Sequence, residues 1–151
     1  MKFRVCLFAL AMVLGTQANA APTMYGKYYD ETANVSCANS SCRVQFSQTP
    51  PDKLIEITNV ACTGNTTVQL IGLTLTVAAT PGGNPLQRQV PLYLPPPYMY
   101  NSINIIFSTN HPVRYLVGQG RYPVINWSAF DSYSAAYGSC HIVGNVVDPI
   151  P

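Results

Sequence analysis

This chain of 151 amino acids carries few residues able to do covalent, acid–base or metal chemistry: five cysteines, two histidines and six carboxylates. Cys140-His141 is one place where a nucleophile adjoins a base. Neighbours along a strand face opposite ways, however, and an exported cysteine is normally bridged. For acyl transfer there is no Gly-x-Ser-x-Gly elbow and no Ser-x-x-Lys. His111 precedes Pro112 in what reads as a solvated turn. Glycoside hydrolysis asks for two carboxylates about 5 to 9.5 Å apart. Asp30 and Glu31 lie in a polar leading stretch, Asp52 in a turn, Glu56 on a strand and Asp131 among aromatic residues, so only tertiary coincidence could assemble such a pair. Phosphate loops, dinucleotide-binding glycines and calcium loops are missing. The expectation is a protein that is not an enzyme and uses no cofactor.

The chain opens with Lys2 and Arg4, an apolar run from Val5 to Leu14, and Ala18-Asn19-Ala20 before Ala21. That order reads as a secretory signal peptide cut between Ala20 and Ala21, with the periplasm or the cell exterior as destination. An apolar run of this length falls short of the ~20 residues that span a bilayer as a helix, so no membrane span is expected. Without the leader, six basic residues (Lys27, Arg43, Lys53, Arg88, Arg114, Arg121) face six acidic ones, a neutral balance that leaves nothing to steer the protein toward nucleic acid.

Loss of the leader also removes Cys6 and leaves Cys37, Cys42, Cys62 and Cys140, an even set in an oxidising compartment. Four cysteines allow three connectivities. Cys37 and Cys42 flank a short polar segment that can close as a loop, which would pair Cys62 with Cys140; Cys42 with Cys62, at the far ends of one apparent hairpin, is the competitor. As zinc ligands they lack a second close pair, and no metal site is expected.

The 131 residues after the leader fit one domain. Residues 21–36 read as a polar arm bearing Tyr25, Tyr28 and Tyr29, and residues 37–151 as a single β domain. Cys42, Val44 and Phe46 alternate with polar neighbours, the period of a half-buried strand. From Leu54 to Cys62 the apolar parity switches between Ile57 and Val60, which calls for a bulge near Asn59. Gly64-Asn65 reads as a turn, Val68–Val77 as a strand with an irregularity at Gly72, and Pro81–Pro85 as its end. Pro91 and Pro95 confine the Val90–Leu94 alternation to an edge. Ile103–Ser108 and Val113–Val117 read as two strands across a Thr109–Pro112 turn, and Cys140–Val147 as the last strand. No window holds a helical period. The fold class is all-β, a disulfide-stabilised antiparallel sandwich of two sheets, Ig-like or jelly-roll.

The stretch Pro51-Asp52-Lys53-Leu54-Ile55-Glu56-Ile57-Thr58-Asn59-Val60-Ala61-Cys62, with the closing Ser139-Cys140-His141-Ile142-Val143-Gly144, resembles a pattern in small secreted bacterial β-sandwich proteins of uncharacterised function. The resemblance covers two strands, about a sixth of the chain after the leader. It implies a sandwich in which Cys62 and Cys140 pair, and no activity or ligand.

Aromatic residues are the one enrichment that points to binding. Tyr122, Trp127, Phe130, Tyr133 and Tyr137 fall within the long segment between two strands, Val113–Val117 and Cys140–Val147, beside Arg121, Asn126 and Asp131. Flat rings cover the apolar face of a sugar while amides and carboxylates take its hydroxyls. Tyr122, Asn126, Trp127, Asp131 and Tyr133 are therefore the candidate ligand-binding residues, with Tyr98 and Tyr100 on the Pro-rich loop as an extension. The competing reading buries these rings as a plug in the end of the sandwich. The expected function is a non-catalytic binding module for a glycan or cell-envelope component. The alternative is an assembly subunit whose 21–36 arm adds as a strand to a neighbour. Nothing in the sequence sets an oligomeric state.

Overall fold

A computed structural model describes residues 21–38, 40–94, 96, 98–99, 104–130 and 135–149. Among the described residues ten strands follow one another: β1 (Thr23–Tyr25), β2 (Tyr28–Cys37), β3 (Ser41–Gln45), β4 (Leu54–Thr66), β5 (Leu70–Ala78), β6 (Val90–Pro91), β7 (Tyr98–Met99), β8 (Ile105–Val117), β9 (Tyr122–Ala129) and β10 (Ala136–Val147). They form a six-stranded sheet in the order β1-β2-β10-β4-β8-β7 and a four-stranded sheet in the order β3-β9-β5-β6. All pairings are antiparallel. With the short β1 and β7 set aside, the remaining eight strands, counted along the chain, lie 1-8-3-6 in one sheet and 2-7-4-5 in the other. That interleaving is the jelly-roll order, and it decides between the two sandwich topologies open from sequence.

Both disulfides join the partners preferred from sequence. Cys37 and Cys42 close the short β2–β3 connection. Cys62 and Cys140 stand directly opposite each other on β4 and β10, with Cα atoms 4.1 Å apart, so this bridge locks neighbouring strands of one sheet. The bulge expected near Asn59 is present: the β4–β8 register shifts between Ile57 and Asn59, and Ile55, Ile57, Val60 and Cys62 all end up in the core. The irregularity at Gly72 and the edge position of Val90–Pro91 are present too.

Four expectations are corrected. Residues 21–36 are no arm: they build β1 and most of β2, and β2 pairs with β10 from Tyr28 to Cys37. Alternation in β2 was masked because Glu31, a carboxylate, occupies a core position between Tyr29 and Ala33. Gly64-Asn65 is strand rather than turn; a Cβ on Gly64 would come within 2.9 Å of the Trp127 and Phe107 rings, so the glycine serves close approach. Thr109–Pro112 is also strand. β8 runs unbroken from Ile105 to Val117, and among the described residues β7 pairs with its first two residues alone; Pro112 stands opposite Asn59 beside the β4 bulge, where the register shifts and the ladder is already irregular. Lastly, Tyr122–Ala129 is β9, paired on both sides by β3 and β5.

Candidate functional site

Because β9 is a strand, its side chains alternate between two faces, and the aromatic cluster seen in the sequence is divided. Trp127 points inward and is 0% exposed. Its ring meets Phe107 edge-on at 4.9 Å and lies over Gly64 and Gly138, which are paired across β4 and β10. Trp127 is therefore core, and its place in a ligand platform is withdrawn. Asn126 points outward on the small sheet, between Arg43 of β3 and Thr74 of β5. Tyr122 is half-buried opposite Ala78. Asp131, Tyr133 and Tyr100 lie outside the described residues, and Tyr98 is described only as part of β7. Phe130, 83% exposed, follows the end of β9, and Tyr137 is exposed on β10 in the other sheet.

Nor is the outer face of the small sheet open where Tyr122 and Asn126 reach it. The connection after β5 folds back over it: Leu86 N–H donates to the Val77 carbonyl at 2.7 Å, Gly82 N–H donates to Gln45 Oε1 at 2.8 Å, and Arg43 Nη1 donates to the Gly83 carbonyl. Val124 and Thr76, outward by parity, are consequently 0% exposed. Burial lowers the Arg43 pKa from its ordinary value, the expected penalty for a guanidinium taken from water.

Past this cover the chain crosses from the small sheet to the open edge of β8. Leu92 N–H donates to the Leu73 carbonyl at 2.8 Å, still in the small sheet. One residue on, Tyr93 N–H donates to His111 Nε2 at 2.8 Å, and the Thr109 hydroxyl donates to the Tyr93 carbonyl at 2.9 Å. Nearer its start the Tyr115 hydroxyl donates to the Arg88 carbonyl at 2.9 Å. His111, expected in a solvated turn, is thus a partly buried strand residue that positions Tyr93. Leu92 packs into the core while Tyr93, of opposite parity, is held out with 63% of its surface exposed.

Tyr93 stands at the mouth of a cleft of about 220 Å³ between this crossing segment and the β4–β5 turn. Leu70, Leu94, Ile105 and Phe107 give it apolar walls; Thr66 and Gln69 are its polar residues. The Thr66 hydroxyl is spent on the Val68 carbonyl at 2.6 Å, whereas the exposed Gln69 amide has no hydrogen-bond partner among the described residues. The cleft is smaller than the roughly 300–1,000 Å³ of drug-sized sites and fits one ring. It offers a flat aromatic surface, an apolar wall and a side chain that both donates and accepts, the equipment for holding a polar ring without charge. The signal for it was present in Pro91-Leu92-Tyr93-Leu94: Pro91 favours an extended path and the alternating leucines turn the tyrosine outward.

Among the described residues no group of three His, Cys, Asp or Glu could hold a metal ion. His141 faces away from its disulfide-bonded neighbour Cys140 and pairs with Asp30, Nε2 to Oδ1 at 2.7 Å. Among the described residues no helix is long and apolar enough to cross a membrane. No protein-family model matches the chain, and no curated protein matches it in sequence.

Proposed function

We propose that the protein is a non-catalytic binding module of the periplasm or cell exterior, and that its ligand is a glycan or another cell-envelope component presenting a sugar-sized ring to the Tyr93 cleft. One observation carries the reading: an exposed tyrosine fixed through both its backbone N–H and its carbonyl beside an unpartnered amide and an apolar wall. Pre-ordering the tyrosine backbone lowers the entropy cost of binding, and stacking on its ring contributes about 0.5–1.5 kcal/mol beyond area burial. Two disulfides agree with an oxidising compartment.

Strand addition by residues 21–36 is the weaker reading. Those residues already hold β10 along nine paired positions, and an exchange would have to break them. The open edge of β8 is guarded by Pro112, which offers no donor, and by Arg88, whose Nη1 occupies the Leu116 carbonyl at 3.3 Å.

Calorimetric titration with a panel of neutral and N-acetylated oligosaccharides and peptidoglycan fragments tests the proposal. At least one should bind, and Tyr93→Ala should weaken it roughly tenfold, the loss of about 1.4 kcal/mol, without changing the thermal midpoint. A panel that produces no heat, or a Tyr93→Ala variant that binds as tightly as the parent, would sink it.

A further inference from the structure

Nearer the start of the crossing segment, two more clefts, of about 410 and 210 Å³, share Arg88 and Leu116 and form one groove beside the C-terminal half of β8. Arg114 borders the first, Arg121 the second, and Arg88 both. Three of the six cationic residues that follow the leader thus line a single groove. Its lining contains one carboxylate, Glu56, and Glu56 Oε1 is already taken by Arg114 Nε at 2.7 Å. Asp148, next to the lining residue Val147, is held by Lys53 at 2.7 Å. Three guanidinium groups against one carboxylate leave two positive charges in the groove without a counter-charge among the described residues.

The arginines differ in how firmly they are placed. The Arg88 guanidinium carbon sits 4.6 Å from the centre of the Tyr115 ring, and its Nη1 donates to the Leu116 carbonyl, so the plane of the fork is set by two contacts. Arg121 is exposed, and its guanidinium has no ion-pair partner among the described residues. Between these two the groove is apolar: Val77, Leu86, Tyr115 and Leu116 line it, with Leu86 and Leu116 each 41% exposed. A bare cationic rim above exposed leucines is a costly surface on a chain this poor in charge, because both features gain from being covered by one ligand.

We propose that this groove is a second binding site, for a carboxylate, sulfate or phosphate group carried on a body with an apolar face, such as an acidic sugar ring. The acid group bridges the Arg88 and Arg121 forks, the geometry that suits planar oxyanions, and the body lies against Leu86 and Leu116. The site is separate from the Tyr93 cleft in place and in chemistry, and it stands whether or not a neutral ring binds there.

Titration of the full chain with trigalacturonate, neutral galactotriose, benzoate and inorganic sulfate, at about 20 mM and then about 200 mM salt, separates the sources of the anion. Trigalacturonate should bind, weaken at the higher salt, and weaken roughly tenfold in Arg121→Gln, with Tyr93→Ala unaffected. Benzoate binding that is lost in Arg121→Gln supports the site with a small organic acid as its ligand. Sulfate binding as tightly as either organic acid overturns the role of the apolar body. Absence of any anion binding at low salt, or binding that Arg121→Gln leaves intact, overturns the site. Arg121 is exposed and its side chain supports no other residue, so the variant should keep the parent's thermal midpoint, and it decides the matter should Arg88→Gln fail to fold.

Discussion

The jelly roll has two open sides, and it closes them by opposite means. On the β2–β3 side a buried carboxylate does it: Glu31, 1% exposed, accepts from the Tyr29 hydroxyl at 2.5 Å, from Ser47 N–H at 2.8 Å and from the Ser47 hydroxyl at 2.8 Å. On the β6–β8 side the exposed crossing segment does it, tied at the Arg88 carbonyl by the Tyr115 and Thr76 hydroxyls and at Tyr93 through its N–H and its carbonyl. The first closure spends its polar groups on itself and leaves nothing for a ligand. The second leaves Tyr93, Gln69, Arg88 and Arg121 facing water with capacity to spare. Hydrogen-bonding capacity left over after folding, rather than aromatic content, is what sets apart the side on which binding is proposed.

The largest expected effect ignores that division. Cys62 and Cys140 are 78 residues apart in sequence and bridge the middle of the large sheet, so replacing both with serine should cost about 4 kcal/mol in urea unfolding and loosen both sides alike. A loss confined to one side, seen as selective amide exchange, would break the picture of a shared scaffold.

Glu31→Gln discriminates more sharply. The amide sets a donor either against the Ser47 N–H and hydroxyl or against the Tyr29 hydroxyl, and buried mismatches of this kind cost about 1–3 kcal/mol. Urea unfolding should register about 2 kcal/mol, while ligand affinity at the Tyr93 cleft stays at the parent value. An affinity that falls with the stability would couple the two sides and contradict their separation.

A smaller effect is expected in alkali. Burial, and then the Glu31 carboxylate, push the Tyr29 phenol far above the ordinary tyrosine range. The folded state therefore holds this proton more tightly than the unfolded chain does. Its stabilisation is complete below about pH 10 and is lost as pH rises beyond it. Tyr29→Phe should flatten the decline in the urea midpoint above about pH 10, and an unchanged slope would show that another group governs it. Tyr115, raised by burial as well, should account for part of the remaining slope.

Much of the fold was legible because period-two patterns carry it. The Asn59 bulge followed from the parity switch between Ile57 and Val60, and the edge position of β6 from Pro91. What escaped was set by tertiary context. Glu31 sits inward only because Tyr29 and Ser47 satisfy it, and the Ser47 contact lies 16 residues away. Gly64 reads as a turn until Trp127 is seen resting on it. Pro112 breaks a strand on paper yet stands opposite Asn59 beside the bulge, where the ladder is already irregular. Clustering in sequence also made Trp127 and Asn126 look like partners, although alternation along β9 sends them to opposite faces. Tyr93 was readable by the same alternation rule, applied to Leu92 and Leu94.

The measurement that tests the division of the two sides most directly is an amide and indole NMR titration with the tightest-binding neutral oligosaccharide. Shifts should gather at Thr66, Gln69, Tyr93, Leu94 and Ile105, while the Trp127 indole and the amides of Tyr29, Glu31 and Ser47 stay in place. Shifts centred on Tyr122, Asn126 and the Trp127 indole would contradict the account and return the site to β9.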